Sequence, residues 1–247
     1  MSTVDQLKQG LLALGLTLDT DTQQRLLDYI ALIDKWNRVH NLTAIRELER
    51  MVSHHLLDSL AVSPHLRAAK LLDVGSGAGL PGIPLALASP AMQVTLLDSN
   101  HKKAAFLNQA AIELKLKNVA ICSERVESWQ TEDRFDVIIS RAFSDMGEFV
   151  RVSRHLLARG GVFAAMKGLH PYEEIDKLPA DCKVQQVLPL AVPGLEGARH
   201  LVLIGLEEPA QGCRAFSPSR TRREAWARPR PVSILPPVWP QPASACS

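Results

Sequence analysis

Residues 71–82 constrain the fold of this 247-residue chain more than any other segment. They join a short apolar run, the carboxylate of Asp73 and four closely spaced glycines, Gly75, Gly77, Gly79 and Gly82. An apolar run of this length that ends at glycines is typical of a buried strand in a parallel sheet. Because glycine lets the backbone turn sharply and approach a ligand closely, the segment predicts a strand followed by a cofactor-binding turn.

The glycines alone leave two cofactor classes open. Residues 77–82 fit the Gly-x-Gly-x-x-Gly turn that binds a nicotinamide dinucleotide. Counted from Asp73, however, the pattern is Asp-x-Gly-x-Gly-x-Gly, which resembles the S-adenosylmethionine (SAM) loop of Rossmann-like methyltransferases. A carboxylate beside this turn disfavours a pyrophosphate but helps to hold the ammonium group of SAM. Asp98, 23 residues after Gly75, suits the ribose of either cofactor, so the residues favour SAM and keep the nicotinamide as the alternative.

Strand-like and helical segments alternate through the middle of the chain. The predicted strands are residues 70–74, 94–98, 119–123, 135–140 and 162–166, and the predicted helices begin at Pro81 or cover residues 102–115 and 149–157. Residues 184–190 and 200–206 predict a closing antiparallel pair of strands. The pattern predicts an α/β, Rossmann-like fold with a doubly wound, mostly parallel sheet that binds ligands at the carboxyl ends of its strands.

Residues 1–69 are predicted to form an N-terminal helical extension. Asp19 or Thr20 can cap a helix whose apolar residues recur at three- and four-residue spacing. A second helix is expected from Leu48 to the break at Pro64. These helices precede the predicted SAM-binding domain.

The SAM-binding domain is predicted over residues 70–204, and residues 205–247 differ from it in composition. They hold six of the arginines, three glutamates and eight of the 16 prolines, without apolar periodicity. We therefore expect an Arg/Pro-rich disordered tail. The rest of the chain has a formal net charge of −1, so that contact with a nucleic acid requires a local basic patch.

The sequence indicates neither membrane insertion nor a metal site. No apolar run approaches the length of a membrane span, and the first residues lack a signal-type pattern, so we expect a cytoplasmic protein. The four cysteines are widely spaced and form no Cys-x-x-Cys motif: Cys122, Cys182, Cys213 and Cys246. This spacing predicts neither a zinc site nor a disulfide framework.

Two cofactor candidates, Val126 and Glu127, and the two catalytic candidates, Ser140 and Arg141, follow or end predicted strands. Val126 and Glu127 lie after the third strand, where the adenine of SAM would rest. Ser140 and Arg141 end the fourth strand, at the position that faces the methyl group in this fold. The chain has neither an Asp/Asn-Pro-Pro-aromatic motif for methylating an amino group nor a cysteine placed to add to a pyrimidine ring. The acceptor is therefore predicted to be a nucleophile already.

Several motifs together resemble the RsmG family, also called GidB, from about residue 5 to residue 204. They are residues 36–43 (WNRVHNLT), 55–59 (HLLDS), 73–84, 97–99 (LDS), 139–142 (ISRA), 167–168 (KG) and 199–202 (RHLV). The resemblance implies methylation of guanine N7, at nucleotide 527 of bacterial 16S ribosomal RNA. The implied partner is that RNA or a small-subunit particle. The implied cofactor contacts are Gly75, Leu80, Val126, Glu127 and Arg141.

Other residues complete the predicted site. Asp73, Gly77 and Asp98 are further cofactor candidates. The basic residues near predicted strand ends are candidates for RNA binding, with a solvated surface as the competing interpretation: Lys102, Lys103, Arg125, Lys167, Arg199 and His200. His55 and Asp58, three residues apart on a predicted helix, are either a structural pair or substrate contacts.

Guanine N7 carries a free lone pair, so its methylation requires no general base, and Arg141 is expected to orient the cofactor or the substrate. The alternative functions are a catalytically silent SAM-fold module that binds RNA or assists ribosome assembly, and a nicotinamide-dependent oxidoreductase. A monomer without a metal is expected.

Overall fold

The computed structural model describes residues 1–141, 143 and 145–207. Its sheet is built from β1 (Lys70–Val74), β2 (Gln93–Leu97), β3 (Val119–Cys122), β4 (Phe135–Ser140), β5 (Leu157–Lys167), β6 (Cys182–Pro189) and β7 (His200–Leu206). The spatial order is β3-β2-β1-β4-β5-β7-β6, and β7 runs antiparallel to both of its neighbours. The doubly wound, mostly parallel sheet and its closing antiparallel pair are thus confirmed. The predicted tail lies outside the described residues from residue 208 onward.

The helices surround this sheet. They are α1 (Thr3–Ala13), α2 (Thr20–His40), α3 (Leu48–Met51), α4 (Asp58–Leu60), α5 (Gly82–Ala88), α6 (His101–Glu113), α7 (Met146–Ser153) and α8 (Tyr172–Ile175). A π-helical turn, Val52–Leu57, joins α3 to α4. The helix predicted from Leu48 to Pro64 therefore ends at Leu60, and Pro64 lies in a separate 3-10 turn, because proline has no N–H with which to continue a helix.

One predicted boundary was wrong by several residues. α7 begins at Met146, where the Asp145 side chain caps it by accepting from the Glu148 N–H at 2.7 Å. It ends at Ser153, a 3-10 turn covers Arg154–Leu156, and Leu157, the last residue of the predicted helix, begins the long strand β5. Gly160 and Gly161 lie within that strand, and Gly160 has a φ of 73°, in the left-handed region that favours glycine. The pairing with β4 is irregular here, since it passes from Leu157 opposite Phe135 to Val162 opposite Val137 and leaves the two glycines in a bulge.

The two faces of the sheet bury different helices. Alternate residues of β1 divide between them: Leu71 packs in the cluster that contains α1 to α6, and Leu72 packs in the cluster that contains α7. Both leucines are fully buried. Residues 1–69, predicted as an extension, thus share a hydrophobic core with the sheet. Their treatment as a separate domain stays a prediction.

Tyr29 fixes α2 to the glycine-rich turn. Its side chain is fully buried, and its hydroxyl donates to the carbonyl oxygen of Ala78. Burial raises the pKa of Tyr29 well above its ordinary value, so the hydroxyl keeps the proton that it donates. In the sequence, Tyr29 is one of the apolar residues that recur along the helix predicted after Asp19. The structure adds a polar function, since the N-terminal helices hold the turn in place.

Replacement of Tyr29 by Phe tests this link. The variant leaves the buried carbonyl of Ala78 without its donor, and we expect the free energy of unfolding to fall by about 1–3 kcal/mol. Urea denaturation measures the change. Tyr172, which is 69% exposed, is the other of the two tyrosines and supplies the control Tyr172→Phe. Equal stability of the two variants would contradict the assigned role.

Candidate active site

The glycine-rich turn follows β1 at the carboxyl end of the sheet. Gly75, Gly77 and Gly79 have φ values of 69°, 60° and 88°, in the left-handed region that favours glycine. The N–H groups of Gly75 and Ser76 both donate to the carbonyl of Leu97, at 2.8 and 3.2 Å. These bonds fasten the turn to the end of β2, so the ends of the two strands form one rigid edge.

Asp73 and Gly82 make the closest approach beneath the turn. The N–H of Gly82 donates to Asp73 Oδ2 at 2.9 Å. A Cβ at residue 82 would lie 2.2 Å from Leu96 Cδ2 and 2.8 Å from the same carboxylate oxygen. The absence of a side chain at Gly82 therefore permits α5 to begin directly against the carboxylate.

The second carboxylate oxygen of Asp73 is buried and has no hydrogen-bond partner in the structure. Burial raises the pKa of Asp73 to about 7, against the lowering effects of the Gly82 N–H and the Arg141 charge. A buried acceptor with this pKa suits a cationic ligand group, which would favour the ionised form. The predicted contact with the SAM ammonium group fits this chemistry and stays a prediction.

Asp98 lies just beyond β2 and is 7% exposed. Its Oδ2 accepts from the Gly77 N–H at 2.8 Å, and its Oδ1 accepts from the Asn100 N–H at 2.9 Å. The ammonium group of Lys103 is 3.9 Å from Oδ2. Asp98 thus joins the glycine turn to the start of α6, and its predicted contact with a ribose would be made from this fixed position.

A cavity of about 270 Å³, which we call the first cavity, lies at the ends of β1, β2 and β3. Its lining includes four of the predicted cofactor residues, Gly75, Asp98, Val126 and Glu127. The other four lie elsewhere: Asp73 and Leu80 are buried, Gly77 bonds to Asp98, and Arg141 lines a different cavity. The left-handed glycines and the carboxylate of Asp98 fit a nucleoside-containing cofactor.

A second cavity, of about 350 Å³, lies at the ends of β4 and β5 and the start of β7. Arg141, Lys167, Arg199 and His200 line it, together with Asp58. It therefore combines a catalytic candidate with three of the predicted RNA-binding residues. Of the other three, Lys103 and Arg125 line the first cavity, and Lys102 is exposed at the start of α6.

Asp58 and His55 do not form the structural pair that their spacing allowed. Asp58 Oδ2 is 3.2 Å from Arg141 Nη1, and its Oδ1 is 3.2 Å from Arg199 Nε. His55 Nε2 instead lies 3.0 Å from the hydroxyl of Thr43. Burial, assisted by the positive charge of Arg141, lowers the pKa of His55 to about 4. His55 is therefore neutral at pH 7, and the charged contacts belong to Asp58.

Ser140 has a structural partner. Its buried hydroxyl donates to the carbonyl of Val74 at 2.7 Å, which ties the end of β4 to the end of β1. Asn37 similarly binds the backbone of Thr43 through both atoms of its amide, at 2.9 and 3.0 Å. Asn41 ends α2 in the left-handed conformation. The segment from Asn37 to Thr43 thus shapes the connection to α3, and a direct catalytic role for Ser140 stays a prediction.

The strand order and the glycine turn define a class, the methyltransferase-type Rossmann fold. Solved structures with low sequence identity support this fold. A glycopeptide N-methyltransferase, MtfA, in complex with S-adenosylhomocysteine is 12% identical with a TM-score of 0.53, covering 61% of this chain and 89% of that chain. The mitomycin 7-O-methyltransferase MmcR is 17% identical with a TM-score of 0.51, covering 70% of this chain and 60% of that chain.

The family follows from the sequence comparisons. The model of the GidB family, described as rRNA small subunit methyltransferase G, matches residues 22–202. A ribosomal RNA small subunit methyltransferase G from Laribacter hongkongensis is 56% identical, over 83% of this chain and 100% of the relative. One from Chromobacterium violaceum is 55% identical, over 82% and 97%. One from Neisseria meningitidis serogroup B is 50% identical, over 83% and 99%.

The chain belongs to the rRNA small subunit methyltransferase G family. This confirms the predicted family, the enzyme class and the SAM cofactor, and it makes the nicotinamide alternative wrong. Within the described part of the chain, no helix is long and apolar enough to cross a membrane. No group of three or more His, Cys, Asp or Glu side chains among those same residues could hold a metal ion.

The raised pKa of Asp73 predicts pH-dependent cofactor affinity. Asp73 takes up a proton as the pH falls from about 8 to about 6, so the attraction for a ligand ammonium group is lost in that range. We expect SAM affinity to fall over this range in the wild type, and Asp73→Asn to bind more weakly with a flatter profile. Calorimetric titration at several pH values measures both.

Asp136→Asn is the matched control, because Asp136 Oδ2 accepts from the N–H groups of Ala69 and Lys70 at the opposite end of β1. Its profile should follow the wild type. Any titration of SAM itself affects both proteins equally, so it cancels when the SAM affinity of Asp73→Asn is compared with that of the wild type at each pH. If Asp73→Asn and the wild type gave parallel profiles, Asp73 would have no contact with the ammonium group.

Proposed function

We propose that this chain transfers a methyl group from SAM to N7 of a guanine in bacterial 16S ribosomal RNA. In this chain, which belongs to the family, two neighbouring cavities lie at the same edge of the sheet. Their placement is the observation that carries the proposal. The first has the residues expected for a nucleoside cofactor. The second is basic, as an RNA substrate requires.

The cofactor, when bound, supplies an electrophilic methyl group. Guanine N7 bears a lone pair in the ring plane and no proton, so the chain need not provide a general base. Its contribution is to hold the two reactants in line and to exclude water. The rigid edge formed by the glycine turn, Asp98 and the Ser140 hydroxyl suits that task, because its backbone groups are fixed by hydrogen bonds.

Arg141 is the residue placed to orient the reactants. Its Nη1 bonds to Asp58 and to the carbonyl of His54, both at 3.2 Å, while the side chain remains 31% exposed. It lies in the lining of the second cavity, directly after β4, the strand whose end is predicted to face the methyl group. A fixed guanidinium can direct hydrogen bonds at a carboxylate, a phosphate or guanine O6, and it has no role as an acid.

The direct test is methyl transfer from labelled SAM to 16S RNA and to assembled small subunits, followed by strand scission specific for 7-methylguanine. We expect label in the RNA and one cleavage site, at the nucleotide implied by the family resemblance. Binding of SAM and RNA without turnover on either substrate would favour the silent RNA-binding or assembly module. Label at another base would overturn the assignment to N7.

Replacement of Arg141 by Ala should lower the rate of methyl transfer by about tenfold or more, since directed, charge-assisted hydrogen bonds are lost. The same assay measures it. Arg151→Ala removes an exposed arginine that pairs with Glu148, and its rate should match the wild type. Unchanged SAM affinity together with an unchanged rate in Arg141→Ala would exclude the proposed role.

Lys102 and Lys103 separate two effects on binding. Lys102 is exposed, so Lys102→Gln should weaken RNA binding. The slope of the logarithm of the binding constant against the logarithm of the salt concentration should become shallower by about 0.7–0.9, the value of one phosphate contact. Lys103 lies beside Asp98, so Lys103→Gln should also change SAM affinity. Filter binding over a range of salt concentrations measures the slope. An unchanged slope in Lys102→Gln would assign Lys102 to the solvated surface.

We further propose that the protein acts as a monomer. We also propose that it acts in the cytoplasm, on the ground that its proposed substrate is bacterial ribosomal RNA. Sedimentation velocity of the full chain tests the monomer: activity confined to a dimer would contradict it.

A further inference from the structure

Asp58 holds two arginines that are distant in sequence. Arg141 follows β4 and Arg199 precedes β7, and each lies 3.2 Å from a different oxygen of the Asp58 carboxylate. The side chain of Asp58 is 4% exposed, whereas those of Arg141 and Arg199 are 31% and 30% exposed. A buried carboxylate thus fixes two guanidinium groups whose outer edges face the second cavity.

The charges around the second cavity do not cancel. Among the described residues that line it, Asp58 is the only carboxylate, and Arg141, Lys167 and Arg199 are cationic. Glu174 compensates Lys167, since its Oε2 lies 2.6 Å from Nζ. The two arginines and Asp58 therefore leave one net positive charge. The excess matches an anion that carries a single negative charge.

Arg199 is prepared to bind such an anion. Asp58 engages its Nε, and its own Nη1 donates to the carbonyl of Ala198 at 2.9 Å. The neighbouring His200 is held through Nδ1, 3.1 Å from the carbonyl of Gly168. A guanidinium fixed in this way loses little side-chain entropy when its outer N–H groups bind a phosphate.

The chemistry of the reaction selects the anion. SAM carries one carboxylate, for which Arg141, the predicted cofactor contact, is available, and the guanine ring gains positive charge as N7 is methylated, so neither requires a second arginine here. An RNA phosphodiester carries one negative charge and occurs beside every base. The family resemblance implies that Arg141 contacts the cofactor. Arg141 then shares Asp58 with Arg199, which would contact the RNA that accepts the methyl group.

We propose that the second cavity binds one phosphodiester next to the target guanine, with Arg199 as its ligand and Asp58 as the positioning residue that couples Arg199 to Arg141. The proposal rests on the proposed function, because it specifies the RNA contact of that same site.

The test compares guanosine with the methyl ester of guanosine 5′-monophosphate, which carries one phosphodiester charge. Calorimetry on the full chain measures the affinity for each probe and, separately, for SAM. In the wild type we expect the diester to bind about tenfold more tightly than guanosine. In Arg199→Gln this ratio should fall to about one, with SAM affinity changed by no more than about twofold.

Asp58→Asn should change both measurements, because both arginines lose their common partner. This dual effect distinguishes positioning from simple loss of one ligand. Circular dichroism checks folding, and Asp58→Glu, which keeps the charge but moves it, provides the same two measurements if Asp58→Asn does not fold. Arg154→Gln is the matched control, because it removes an arginine from an exposed pair with Asp181. It should retain the wild-type ratio.

A wild-type ratio near one, or an undiminished ratio in Arg199→Gln, would overturn the phosphate site. An Asp58 variant that changes the ratio but leaves SAM affinity intact would overturn the coupling. These outcomes do not depend on turnover. If the chain retained the ratio but transferred no methyl group to 16S RNA, the phosphate site would stand and the proposed reaction would fail.

Discussion

The hydrogen bond from the Gly82 N–H to the buried carboxylate of Asp73 is the contact on which the rest of the site depends. It is possible only because residue 82 has no side chain, since a Cβ there would collide with Leu96 and with the carboxylate itself. The bond places the start of α5 against the middle of the sheet. It thereby sets the length and path of the glycine turn, which must close between the end of β1 and that helix.

The turn is then held from two further directions. At the end of β2, the Leu97 carbonyl and the Asp98 carboxylate accept hydrogen bonds from N–H groups of the turn. From the N-terminal helices, the hydroxyl of Tyr29 in α2 donates to the carbonyl of Ala78. The helical segment that precedes the sheet is thus part of the support for the cofactor region. It also supplies Asp58, through the π-helical turn and α4, to the second cavity. This arrangement explains why the helices and the sheet share one hydrophobic core.

The two carboxylates at the centre of the site have different surroundings. Asp73 has one buried oxygen without a partner and a pKa raised to about 7, which favours a cationic ligand group. Asp58 has an arginine on each oxygen. Burial of a carboxylate is costly unless it is paired. Asp58 is compensated within the chain, whereas Asp73 would be compensated by the ammonium group of the cofactor in the contact that we propose. Asp73 is thus suited to binding the cofactor, and Asp58 is suited to positioning the two arginines of the second cavity.

The order of strands and helices along the chain, the glycine turn, the positions of Asp73 and Asp98, and the family could all be predicted from the amino-acid sequence. These features are local, since strand periodicity and the need for glycine at a left-handed φ are written in neighbouring residues. Tertiary structure alone decided the partners of Asp58, the hydroxyl contact of Tyr29, and the division of the basic residues between two cavities. Each depends on residues that are distant in sequence, such as Asp58 and Arg199, and only the packing of the helices against the sheet brings them within hydrogen-bond distance. Tertiary pairing also made β5 begin at Leu157, because Leu157 lies opposite Phe135 of β4, and Gly160 and Gly161 lie in the bulge that follows this pair.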